Sequence, residues 1–146
     1  MKRLYFRIVL LLTIGLSGCS DESTEITPEL MIGGWNLDEV VINGLNGSEI
    51  NDWISNSTAL GLDSTLMYYR NYVTGNWSLE GDKLILDPAD RLSGFYWEYE
   101  ILTVTSKQLK MKIELTESQY CCDFEQFGDN ELLTIVETYS RAEIAN

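Results

Sequence analysis

Any chemistry in this chain has to be built without imidazole, because its 146 residues include no histidine. That removes histidine-based acid–base catalysis, the usual Ser–His and Cys–His nucleophile systems, and metal sites with imidazole ligands. Cys121 and Cys122 are adjacent. Such a pair can close a vicinal disulfide, stand as two thiols on opposite faces of a strand, or crosslink a neighbouring molecule. A reactive thiol needs nearby positive charge to lower its pKa, whereas Asp123 and Glu125 are negative. The pair is therefore read as structural or as a vicinal disulfide. Acidic side chains number 23 against 10 basic, a formal charge of −13. Asp87-Pro88-Ala89-Asp90 and Gly128-Asp129-Asn130-Glu131 set oxygen ligands near turns, but without the spacing of a calcium loop. They read as solvated turns, and neither a metal nor a cofactor is expected. Glu98 and Glu100 share a strand face with Tyr96, most simply the solvent face, which does not suit a glycosidase pair. No nucleophile stands with a base, so no enzyme is expected. Nucleic acid is not an expected partner either, since it needs clustered Lys and Arg.

The 4 Trp, 8 Tyr and 4 Phe are more informative. Small-molecule pockets are mostly apolar with a few polar groups, and tyrosine supplies both. Trp53, Tyr69, Trp77, Trp97, Tyr99, Met111 and Ile113 are the candidate lining of a ligand cavity. The competing reading is a small barrel filled by its own side chains.

What must position these residues is a sheet. From Ile32 onward the apolar residues recur with period two, the mark of half-buried strands. Between Lys107 and Thr116, Leu109, Met111, Ile113 and Leu115 fall on one face and Lys110, Lys112, Glu114 and Thr116 on the other. Phe95 to Leu102 alternates likewise. Glu80-Gly81-Asp82 predicts a tight hairpin between strands at 75–79 and 83–86. Further strands are predicted at 34–42, 64–70, 120–127 and 131–140, about eight in all. That number of antiparallel strands implies a closed barrel or a sandwich. One short helix is predicted, with Ser48 as its N-cap and Ile50, Trp53 and Ile54 on one face. It would lie across a barrel end, with Trp53 as either a lid or a core plug.

Gly33-Gly34-Trp35 opens the first strand and Arg141 closes the last. A G-x-W at the first strand and an arginine leaving the last one resemble the lipocalins. The resemblance implies an up-and-down barrel in which Arg141 lies on the Trp35 ring and closes one end. A guanidinium over an indole contributes about 0.5–2 kcal/mol. The stretch from Met31 to Arg141 is similar to the lipocalin-like domains of bacterial lipoproteins. Those carry a second G-x-W before a hairpin, here Gly75-Asn76-Trp77, and a run matched by Tyr99, Ile101, Leu102, Thr103 and Leu109.

The N-terminus reads as an address. Lys2, Arg3 and Arg7 precede an apolar run from Ile8 to Leu16, too short to span a bilayer and suited to a signal peptide. Leu16-Ser17-Gly18-Cys19 resembles the lipobox of bacterial lipoproteins, which implies acylation of Cys19. Membrane anchoring needs at least two acyl chains, and a triacylated cysteine exceeds that. Removing the three basic residues of the leader leaves 7 basic against 23 acidic side chains, a charge of −16. Residues 19–30 read as an acidic flexible tether, and 31–143 as the barrel domain. Ser20-Asp21-Glu22 resembles an acidic export tag, and Asp63-Ser64-Thr65 an O-glycosylation site of exported Gram-negative proteins. The expectation is an outer-membrane lipoprotein, anchored by its lipid, whose barrel binds a small apolar or amphipathic ligand. The alternative is a solid-cored surface module that contacts a protein or glycan.

Overall fold

The computed structural model describes residues 25–50, 59–92, 94–120, 124–128 and 130–143. Period-two alternation makes strands here because every second side chain finds the same interior. In β8 (Gln108–Thr116), Leu109, Met111, Ile113 and Leu115 are buried while the residues between them face out. The other barrel strands are β1 (Gly33–Ile42), β3 (Ala59–Leu62), β4 (Met67–Arg70), β5 (Val73–Glu80), β6 (Lys83–Pro88), β7 (Trp97–Val104) and β9 (Leu132–Arg141). Each pairs antiparallel with its neighbours in this order, and β9 returns to β1. The result is a closed eight-stranded up-and-down barrel. A two-residue strand, β2 (Leu45–Asn46), only extends the hairpin at the top of β1. Register shifts between Leu37 and Glu39 and between Ile101 and Thr103 mark bulges, the devices that let a sheet curl shut.

The strand directions define two ends. The start of β1, the β3–β4, β5–β6 and β7–β8 connections and the end of β9 lie at one, here called the Arg141 end. The β1–β2 hairpin, the β4–β5 turn and the β6–β7 and β8–β9 connections lie at the other, the far end. Among the described residues there are three four-residue helices, against the one short helix that the sequence predicts. Helix α1 (Pro28–Met31) belongs to the Arg141 end; α2 (Gly47–Ile50) and α3 (Glu117–Tyr120) belong to the far end. The last residues of the stretch read as tether therefore form a helical turn, with Ile26 and Leu30 packed on the core.

Several local expectations differ from the structure. The strand predicted at 64–70 begins only at Met67, because Asp63 Oδ1 accepts from Thr65 N, Thr65 Oγ1 and Met67 N and so winds residues 63–66 into a turn. The four-residue strand β3 precedes it, too short and too rich in Ala and Gly to register as periodic. Of the strand predicted at 120–127, none of the described residues is in a strand: Tyr120 ends α3 and residues 124–127 form a turn. Gln119 Oε1 accepts from Thr116 N and Oγ1, which starts α3, and the buried Glu117 accepts from Phe124 N. Ser48 lies inside α2, whose cap is Asn46: its Oδ1 accepts from Ser48 N at 2.9 Å. Glycine 75 of the second G-x-W earns its place sterically, since a Cβ there would meet Pro88 Cα and Tyr68 Cε1 at 2.7 Å.

Candidate functional site

The Arg141 end is pinned. The Arg141 guanidinium lies 3.8 Å from the centroid of the Trp35 ring. Its Nη1 donates to Ile32 O at 2.5 Å, its Nη2 to Leu30 O at 2.7 Å and its Nε to Ser106 O at 3.3 Å. Trp35 Nε1 donates to Met31 O at 2.9 Å. Carbonyls at the end of α1 are thus satisfied by the two residues that join the first and last strands, and burial pulls the Arg141 pKa down from its ordinary value. Gly33 permits this: its φ is +142°, and a Cβ would collide with Arg141 Nη1.

The far half of the interior holds a second arginine. Arg70 ends β4 and Glu137 sits within β9, on strands that are not neighbours, so their contact crosses the barrel. Both are inside, with 5% and 0% of their surface exposed. Arg70 Nη2 donates to Glu137 Oε1 at 2.7 Å and Nη1 to Oε2 at 3.2 Å, while Nη1 also donates to Tyr99 Oη. Tyr120 Oη donates to Glu137 Oε1 at 2.9 Å and Tyr139 Oη to Oε2 at 2.8 Å. Four donors therefore converge on the four acceptor positions of one carboxylate.

Aromatic rings complete the enclosure. The Trp97 ring centroid is 4.2 Å from the Arg70 guanidinium carbon and that of Tyr99 is 5.6 Å away. Trp97 meets Tyr99 edge-on at 6.0 Å and stacks on Tyr120 at 6.4 Å. Burial pushes the phenols of Tyr99, Tyr120 and Tyr139 well above their ordinary pKa, since a phenolate would be desolvated beside Glu137. For Arg70, burial acts to lower the pKa, but Glu137 and the tyrosines more than offset it and raise it. Charge in the cluster is thus one cation against one anion.

Three buried polar atoms have no partner among the described residues: Arg70 Nε, Trp97 Nε1 and Asn71 Oδ1. Two are donors on touching groups. Leaving such a group unpaired costs about 1–3 kcal/mol. The cluster has no nucleophile beside a base; its chemistry is hydrogen-bond donation inside an aromatic cage.

Of the residues expected to line a cavity, Trp77, Tyr99, Met111 and Ile113 are buried in the core, and Trp97 is half-buried beside Arg70. Tyr69 is not with them. Tyr68 and Arg70 take the inward positions of β4, leaving Tyr69 48% exposed on the outer wall. There it borders an open depression of about 420 Å³ floored by Gly34 and Gly61. Trp53, Cys19, Cys121 and Cys122 lie outside the described residues. Among the described residues, no group of three or more Cys, Asp or Glu is placed to hold a metal, and no helix is long and apolar enough to cross a membrane. Arg70, Glu137, Tyr120 and Tyr139 were not singled out from sequence. The signal for Glu137 was available: it stands in phase with Leu133, Ile135 and Tyr139, a charge on an apolar face.

Fold and cluster together define a small closed antiparallel barrel with a charged, aromatic-lined interior at one end. Comparison with protein-family models, with curated proteins and with solved structures finds no match to this chain.

Proposed function

We propose that this is a lipid-anchored, lipocalin-like lipoprotein of the outer membrane whose barrel binds a small apolar or amphipathic molecule. The observation that carries the reading is the Arg70–Glu137 cluster. A buried ion pair is a poor stabiliser compared with an apolar pair of the same volume, so a cluster that still leaves two donors unpaired is better explained by recognition. The G-x-W to arginine pin supports the kinship with lipocalins, and the lipobox at Cys19 supports the anchor. No catalytic step is part of the reading. The second reading, a solid-cored interaction module, draws on the packed layer of Trp35, Leu109, Met111 and Tyr139 towards the Arg141 end.

Two measurements test the proposal. The full chain expressed in a Gram-negative host should incorporate an alkynyl palmitate label, and Cys19→Ser should abolish it. The intact chain in phospholipid nanodiscs should take up N-phenyl-1-naphthylamine saturably, beyond empty discs. Absence of saturable uptake, with no small molecule in solvent extracts of the isolated chain, overturns the ligand reading in favour of the solid module.

A further inference from the structure

We infer that the ligand, on the ligand-barrel reading above, is an apolar molecule carrying one uncharged carbonyl oxygen, which accepts from Arg70 Nε and Trp97 Nε1. Both donors are buried and unpartnered among the described residues, and the guanidinium carbon of one lies 4.2 Å from the ring centroid of the other. Tyr99 Oη accepts from Arg70, which leaves its own hydrogen free to donate as well. The group that complements these atoms must therefore bring lone pairs. An incoming donor would find the Glu137 carboxylate already filled by two Arg70 nitrogens and two tyrosine hydroxyls. Asn71 Oδ1, on the turn after β4, is the one buried side-chain acceptor without a donor among the described residues and is bonded to neither of the two.

Charge decides between a carbonyl and a carboxylate. Arg70 is already neutralised by Glu137 at 2.7 Å, so a second carboxylate would be an uncompensated buried anion, which is costly to desolvate. The chain as a whole carries −13, which disfavours it further. A neutral carbonyl accepts the same hydrogen bonds without that penalty. Exposed apolar side chains stand at the same end of the barrel. Tyr72, on the β4–β5 turn, is 97% exposed, and Leu92, Phe95 and Tyr96, on the β6–β7 connection that leads into Trp97, are also exposed. These two connections adjoin, since a Cβ on Gly94 would lie 2.8 Å from Val73 Cγ1.

The test compares three twelve-carbon probes, 2-dodecanone, dodecane and dodecanoate, on the intact chain in nanodiscs, with partition into empty discs subtracted. The indole N–H resonance of Trp97, assigned with Trp97→Phe, reports the contact. The expected result is that 2-dodecanone shifts this resonance downfield and binds about tenfold tighter than dodecane, as two net hydrogen bonds imply, with dodecanoate weaker than the ketone. Trp97→Phe should lose most of the ketone's advantage over dodecane. Equal binding of ketone and dodecane with an unmoved indole resonance overturns the inference while leaving the ligand-barrel reading intact. Tightest binding by dodecanoate overturns the uncharged class. Binding of none of the three overturns both readings, and so marks the unpaired donors as solvated by water only.

Discussion

Glu137 is the residue whose removal tests the far-end cluster most sharply. Replacing it with Leu strips Arg70 of its counter-charge and removes the acceptor of both Tyr120 and Tyr139. Breaking a buried pair by deleting one partner costs about 3–5 kcal/mol, and each orphaned hydroxyl adds about 1–3 kcal/mol. Against a typical domain stability of about 5–15 kcal/mol, Glu137→Leu should leave the barrel barely folded. Arg70→Met is milder, about 3 kcal/mol by the same reasoning, because the stranded carboxylate keeps two hydroxyl donors. The double variant buries no charge and loses only the hydroxyl partners, about 2–6 kcal/mol. It should therefore be more stable than Glu137→Leu alone by about 2 kcal/mol or more, a second mutation that rescues the first. Urea titrations followed by tryptophan fluorescence, extrapolated linearly to water, measure all four corners of the cycle. Additivity of the two single changes within about 0.5 kcal/mol would refute the claim that the pair is a buried, mutually dependent unit.

Two further outcomes follow from the same geometry. Arg141→Lys keeps the charge but loses the planar fork that serves Leu30 O, Ile32 O and Ser106 O, so it should lower Tm by about 4–8 °C, the equivalent of about 1 kcal/mol; an unchanged Tm would mean that the pin contributes nothing. The buried phenols of Tyr99 and Tyr139, raised in the folded state, contribute stability that is complete below pH ~10 and is lost as pH rises above that unfolded value, at about 1.4 kcal/mol per tyrosine per pH unit. Near-UV circular dichroism should therefore collapse in the alkaline range together with the last step in phenolate absorbance, and complete ionisation of the tyrosines with the folded signal intact would contradict the burial.

The sequence carried the barrel because its long strands are self-declaring. In β8 four apolar residues alternate with polar ones, in β9 Leu133, Ile135 and Tyr139 keep the same phase, and the hairpin at Gly81 needs the positive φ of 65° that glycine supplies. It carried the meeting of Trp35 with Arg141 as well, but only through the family resemblance, since nothing local to either residue names the other. The shorter elements were hidden for physical reasons. A four-residue strand such as Ala59–Leu62 has two inward positions, too few for a period. Residues 120–127 carry aromatics and cysteines as a strand does, yet the side chains of Gln119 and Glu117 take the backbone N–H groups of Thr116 and Phe124. Tyr69 was misplaced towards the interior because adjacent tyrosines leave the phase of β4 undetermined, and it is the inward Arg70 that sets it. The cluster itself was legible in half: Glu137 breaks an apolar face, but its partner lies 67 residues earlier, and only barrel closure brings the two together.

The two ends of the barrel use the same pair of residue types to different effect. At one, Arg141 lies 3.8 Å from the Trp35 centroid, all three guanidinium nitrogens donate to backbone carbonyls, and the indole donates to another. No nitrogen is left without a partner, and the stack serves as a staple. At the other, Arg70 lies 4.2 Å from the Trp97 centroid, two nitrogens are bound to Glu137 or Tyr99, and both the Nε and the indole nitrogen are unpaired. A purely structural stack gains from being closed, as the Arg141 end demonstrates within the same molecule. The unpaired donors of the second stack are therefore not a by-product of setting arginine on tryptophan. They follow from a carboxylate on the guanidinium's Nη1–Nη2 edge with Nε left free, an arrangement that costs stability unless something with lone pairs completes it.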